Sequence, residues 1–165
     1  MPFHMSRSPE IPKYTNRIKK EKASPDNIPS FQSENVENIT LIGAGAYGKV
    51  FQGIYKRKEV VLKELKETDD KDIIKEARFH HRLNHQNIVA FRALCIAEKA
   101  LMLEYVWLDL AMFGCMKKVN SLKTLLKELH KGQCQGFEYV IRCIAKHVVV
   151  GLTYLHDTTP RSQAR

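Results

Sequence analysis

Apolar positions along the chain fall into short strand-like runs and then into longer helical periods. Ile39, Thr40, Leu41 and Ile42 form a mostly apolar run that ends in a cluster of glycines, which predicts a strand entering a tight turn. Val50 and Phe51, followed by Gly53, Ile54 and Tyr55, predict the returning strand, and Lys56, Arg57 and Lys58 a polar turn. The stretch from Glu59 to Leu65 has β-branched residues at its centre and predicts a third strand. Strands joined by such short turns make an antiparallel meander. Asp69 and Asp70 then open a helix, because acidic side chains favour helix N-termini through capping and the macrodipole. Ile73, Ala77, Phe79 and Leu83 follow at roughly helical spacing. Residues 88–91 and 100–103 predict two further strands around a turn at 97–99. A helix over 120–131 gathers Leu122, Leu125, Leu126 and Leu129 on one face. A longer one over 137–156 carries Val140, Ile141, Ile144, Val148, Leu152 and Leu155. No internal repeat interrupts this order.

Composition limits the alternatives. The 165 residues suffice for one domain or part of a larger one, and 44% are apolar, enough to bury a core. Residues 1–35 hold Pro2, Pro9, Pro12, Pro25 and Pro29 among Ser, Lys and Asn without a sustained period, and read as a flexible tail. The net charge of +9 is densest at residues 17–22. Such a run serves as a nuclear signal, a nucleic-acid contact or a solvated arm. The core region shows no clear aromatic–basic interleaving of the kind that stacks bases, so nucleic acid is not the expected partner. The cysteines (Cys95, Cys115, Cys134 and Cys143) include no CxxC pair. His130 with Cys134, and Cys143 with His147, have zinc-like spacing, although helical stretches produce such spacing by chance. With no signal-peptide core and no apolar stretch long enough for a membrane span, the expectation is an intracellular, cytoplasmic protein with free thiols, the nucleus being the alternative.

The sharpest motif is Ile42-Gly43-Ala44-Gly45-Ala46-Tyr47-Gly48-Lys49-Val50. Glycines spaced GxGxxG let backbone N–H groups approach phosphate oxygens, both in dinucleotide-binding units and in kinase phosphate loops. The two differ in the element after the third glycine. A dinucleotide fold needs a helix there, with its N-terminus toward the pyrophosphate. Here Val50, Phe51, Gly53, Ile54 and Tyr55 make a poor helix and a better strand, which favours the strand–loop–strand form.

Over about residues 39–157 the sequence resembles the eukaryotic protein kinase family. Gly43, Gly45, Gly48 and Val50 match its GxGxxGxV loop, and Val60-Val61-Leu62-Lys63 resembles VAIK on strand three. Glu76 lies in the next helix, ahead of His85-Gln86-Asn87-Ile88-Val89, which is similar to HxNIV. Leu101 to Val106 resembles strand five entering the hinge, and residues 151–156 resemble GLxYLH. The resemblance implies an α+β, protein kinase-like fold. It would hold a five-stranded antiparallel N-lobe sheet with an αC helix, the hinge, and the first helices of an incomplete helical C-lobe. The implied division is an N-lobe over about 36–103, a hinge at 104–108, a partial C-lobe over 109–157 and a non-matching tail at 158–165.

It also implies an ATP site. Lys63 would hold the α- and β-phosphates and Glu76 would aim it through an ion pair. Ile42, Ala44 and the loop glycines would cover the nucleotide. Val50 and Val61 would lie above the adenine, with Val61 bulkier than the Ala usual there. Leu103 falls at the gatekeeper position, and the backbone at Glu104 and Val106 would bond the adenine edge. Asp109 is a weaker candidate for the ribose, since residues 107–114 depart from the family's short glycine hinge. His80 stands where the family usually stacks an apolar residue. The expected partners are ATP and a protein substrate or partner kinase.

After His156 the chain reads Asp157-Thr158-Thr159-Pro160-Arg161-Ser162-Gln163-Ala164-Arg165, with no HRD, DFG or APE anywhere in the sequence. The resemblance assigns proton acceptance and Mg²⁺ binding to those motifs. No catalytic or metal-binding residue is therefore expected in these 165 residues, Mg²⁺ only with C-lobe ligands they lack, and no phosphoryl transfer from them alone. The expectation is a truncated domain with an exposed apolar stripe on its last helix.

Overall fold

A computed structural model describes residues 27–46, 48–66, 68–111, 117–131 and 137–158. The basic run at 17–22, Tyr47, Cys115, Cys134 and residues 159–165 lie outside the described residues. After a short 3₁₀ turn (Ser33–Asn35) come β1 (Val36–Gly45), β2 (Gly48–Tyr55), β3 (Lys58–Leu65), α1 (Asp70–Arg82), β4 (Phe91–Cys95) and β5 (Ala100–Glu104). A two-stranded ribbon comes next, β6 (Leu108–Asp109) and β7 (Lys118–Val119), then α2 (Leu122–His130) and α3 (Phe137–Thr158). The first five strands form one antiparallel sheet in the order β1-β2-β3-β5-β4. This is the α+β, kinase-like architecture expected from the sequence.

The sheet buries apolar side chains on both faces. Val60 and Leu62 of β3 point into a cluster with Phe31, Val36, Ala93, Cys95, Ala100 and Met102. Alternation sends Leu65 to the other face, where Ile73 and Ala77 of α1 pack with Phe91, Leu94 and Leu101. Phe91 and Leu94 share that face although they are three apart. The register between β4 and β5 slips between Phe91 and Ala93, which resets the alternation.

Local sequence explains the element ends. Asp69 caps α1 by accepting a hydrogen bond from the Asp72 N–H at 2.8 Å, and Ser121 caps α2 through the Thr124 N–H at 3.2 Å. The β2–β3 hairpin turns on Lys56 and Arg57, both at positive φ (48° and 63°). Positive φ at both central residues is the type I′ turn, whose twist matches that of the flanking strands.

Three expectations shift. Residues 88–90 are not strand: β4 starts at Phe91, and residues 83–90 form an irregular connection braced by α3. There the Asn84 N–H donates to the Tyr154 hydroxyl at 2.8 Å, and the His85 and Tyr154 rings stack 4.7 Å apart. Ile88 is half-buried beside α3, whereas Val89 is exposed. A Cβ on Gly151 would come within 3.5 Å of Asn87 and Ile88. Secondly, order reaches further back than residue 35. Residues 27–35 pack on the sheet, with Phe31 buried. Thirdly, β1 begins at Val36 rather than Ile39 and runs through the first two loop glycines.

Candidate functional site

The site grows from strand alternation. Because Val60 and Leu62 are sealed in one cluster, Val61 and Lys63 must face the other side of the sheet, toward α1. Register sets their neighbours: Lys63 lies between Val50 and Leu101, and Val61 between Gln52 and Leu103. The structure therefore brings Val50, Val61, Lys63 and Leu103 onto one face, from positions scattered over more than fifty residues.

Helix α1 supplies the acid. Its buried face is Ile73 and Ala77. Glu76, next to Ala77, projects toward β3, where its Oε1 lies 2.9 Å from Lys63 Nζ. Both side chains are about one-third exposed, at 34% and 32%. A pair this open to water contributes at most about 1 kcal/mol to stability. Its significance is positional: it fixes an ammonium group beside the glycine hairpin. At the N-terminal end of α1, Asp70 pairs with Lys99 in the β4–β5 turn.

The glycine hairpin joins β1 to β2, with Gly43 opposite Val50, Ala44 opposite Lys49 and Gly45 opposite Gly48. The glycines are not equivalent. Gly48 has φ 140°, and a Cβ there would lie 1.8 Å from the Glu64 carbonyl oxygen, so the fold itself requires glycine. A Cβ on Gly43 would make only an ordinary 3.8 Å contact with Val50, and one on Gly45 would meet none of the described residues within 4 Å. Packing does not explain glycine at those two positions. Ile42 sits at the register shift between Leu41 and Gly43 and is partly exposed. Lys66, which lies outside every sequence motif, donates from Nζ to the Gly45 carbonyl at 3.3 Å. Its sequence signal is slight, a basic residue just past the third strand.

At the hinge, the Glu104 N–H donates to the Ala90 carbonyl at 2.8 Å, and its carboxylate accepts from Arg92 at 3.2 Å. Val106 lies in the non-strand stretch between β5 and β6, half-buried. The ribbon β6–β7 was not foreseen. Trp107 beside it carries Lys118 over its ring at 4.0 Å. Asp109 Oδ1 accepts from the Ala111 N–H at 2.9 Å, so this candidate for the ribose is engaged in shaping its own turn.

His80, one turn after Glu76, places Nε2 3.7 Å from the Glu76 carboxylate. Burial pushes its pKa down; the Glu76 charge opposes this and the Lys63 charge adds to it. The imidazole is therefore neutral at pH 7, and Lys63 rather than His80 is the cation paired with Glu76. Among the described residues no group of three or more His, Cys, Asp or Glu side chains could hold a metal ion, and no helix is long and apolar enough to cross a membrane. Cys95 is buried and Cys143 half-buried, both as free thiols.

The sequence profile of the protein kinase domain matches residues 36–159. The chain belongs to the protein kinase family. It is similar to human mitogen-activated protein kinase kinase kinase 10, 28% identical over 145 residues that cover 82% of this chain and 13% of that protein. Human mitogen-activated protein kinase kinase kinase 11 is 34% identical over 90 residues, 49% of this chain and 10% of that protein. A probable serine/threonine-protein kinase of Dictyostelium discoideum is 26% identical over 130 residues, 76% of this chain and 7% of that protein. The chain thus spans about an eighth or less of the length of these relatives. Within the kinase family, β1–β5 with α1 correspond to the N-lobe and α1 to αC.

Proposed function

We propose that the face formed by Val50, Val61, Lys63, Glu76 and Leu103, covered by the glycine hairpin, binds ATP. The parent activity would be transfer of the γ-phosphate to protein serine or threonine hydroxyls, tyrosine being the other acceptor. The observation that carries this reading is the Lys63–Glu76 pair at 2.9 Å, set one strand away from the hairpin. A cation aimed in this way suits the α- and β-phosphates. The space over Gly45 supports it too, since no described residue lies within 4 Å of a Cβ there, which leaves room for phosphate oxygens to reach backbone N–H groups. ATP supplies the phosphoryl group. This chain's residues bind it, hold the adenine between Val50, Val61 and the hinge backbone at Glu104 and Val106, and orient the phosphates. We place the N-lobe at about 36–103, the hinge at 104–108 and the start of the C-lobe after it.

A second reading, a non-catalytic nucleotide-binding or dimerising module, has one observation in its favour: Val148, Val149 and Leu152 of α3 form an exposed apolar face. Two measurements test the nucleotide site and the transfer activity separately. Titration with a fluorescent ATP analogue should give saturable binding that Lys63→Ala weakens about tenfold or more, a loss of about 1.4 kcal/mol. The melting temperature should barely change, because the ion pair is solvent-screened. Equal affinity in the wild type and Lys63→Ala would remove the nucleotide site. A γ-phosphate transfer assay addresses the chemistry: measurable turnover would overturn the non-catalytic reading.

A further inference from the structure

The kinase profile begins at Val36, yet the segment before it is built into the fold. Residues 27–31 run along the open edge of β4. The Leu94 N–H donates to the Pro29 carbonyl at 2.8 Å, and the Phe31 N–H donates to the Leu94 carbonyl at 3.1 Å. Ser30 and Leu94 form a parallel bridge, so the segment is a short extra strand on an otherwise antiparallel sheet. Its side chains divide between the faces. Phe31 is buried in the cluster with Val36, Val60 and Met102, its ring edge-on to Tyr55 at 6.3 Å. Ile28 packs against the opposite cluster of Ile73, Ala77, Phe91, Leu94 and Leu101.

Ile73 and Ala77 are the two buried residues of α1, and α1 docks chiefly on β4. The strand that carries α1 is thus backed by the strap, and the cluster that holds α1 includes Ile28. Glu76 lies between the two anchored positions of α1. Its ion pair with Lys63 is too exposed to hold the helix by itself. What fixes Glu76 is the apolar seat of α1.

We propose that residues 27–31 are a positioning strap for the Lys63–Glu76 pair, with Ile28 as its key side chain. Through the seat of α1, the strap sets where Glu76 stands, and so how Lys63 is presented to a nucleotide. The proposal rests on the nucleotide-binding reading for its functional consequence and on the packing of α1 for its structural one, and the two can be tested separately.

The test uses the 165-residue chain, a fluorescent ATP analogue, and amide hydrogen exchange of α1. Ile28→Ala should weaken analogue binding roughly fivefold, the scale of coupling between residues in contact. It should also speed exchange of α1 amides relative to those of α2. Ile28→Val should recover most of both. In a Glu76→Ala background Ile28→Ala should cost nothing further, because a positioning residue has no effect once the group it positions is gone. The same loss in both backgrounds would overturn the proposal, as would unchanged α1 exchange in a folded Ile28→Ala chain. Should Ile28→Ala fail to fold, Ile28→Val is compared with the wild type by the same two readouts. A wild-type chain that binds no analogue would sink the nucleotide reading alone; the strap would then stand or fall on α1 exchange.

Discussion

Gly45 and Gly48 belong to one motif and are glycine for different reasons. At Gly48 the reason is internal: positive φ and a backbone carbonyl where a Cβ would sit. At Gly45 nothing among the described residues crowds the position. Gly48→Ala should therefore destabilise the fold by about 2 kcal/mol or more, read as a lower midpoint in urea. Gly45→Ala should leave the midpoint nearly unchanged and weaken binding of the ATP analogue. His80 makes a second prediction at this scale. Burial depresses its folded pKa below the unfolded value of about 6.5. The unfolded chain then takes up the proton first, so stability is fully present above about pH 6.5 and is lost as pH falls through the lower folded value. Unfolding midpoints measured across that window should fall with acidification, and His80→Leu should flatten the fall.

Elements succeed here through a few local decisions. The β2–β3 hairpin places Lys56 and Arg57 at positive φ, a conformation L-residues other than Asn, Asp and Gly adopt at a cost. Replacing the pair by Asn-Gly should stabilise the protein by about 1 kcal/mol without altering the register of Tyr55 with Lys58; thermal unfolding checks it. The strands of the meander and α1 were legible because their apolar periods and capping residues are local. Residues 88–91 misled because a short apolar run reads alike as a strand or as a segment covered by a neighbour. Here the neighbour is α3, whose Gly151 lies beside Ile88, more than sixty positions away. The ribbon β6–β7 was illegible because two-residue strands carry no period.

Over the whole molecule, apolar exposure is concentrated on α3. Val140 is buried against α2 and Leu110, whereas Val148, Val149 and Leu152 are 51–61% exposed. The apolar stripe expected on the last helix is present, and a contiguous patch of this kind promotes association. Val149→Lys with Leu152→Glu should lower concentration-dependent light scattering and leave the far-ultraviolet helix signal intact. Mutations on this face should not change affinity for the ATP analogue, since the face carries none of the site residues.

By itself, the sequence determined the identities that matter. The glycine spacing, a lysine on the third strand, a glutamate on the following helix and the alternation of β3 are all written in local order, and together they specify the kinase family. Only the tertiary structure decided which of these residues meet. The 2.9 Å Lys63–Glu76 contact depends on how α1 seats against β4. The different demands on Gly45 and Gly48 depend on where β3 passes. The strap at residues 27–31 depends on hydrogen bonds to Leu94, far along the chain. The physical reason is common to all three. Periodicity and capping act over a few residues, whereas the position of a charge, the space around a glycine and the partner of a sheet edge are set by packing between segments remote in sequence.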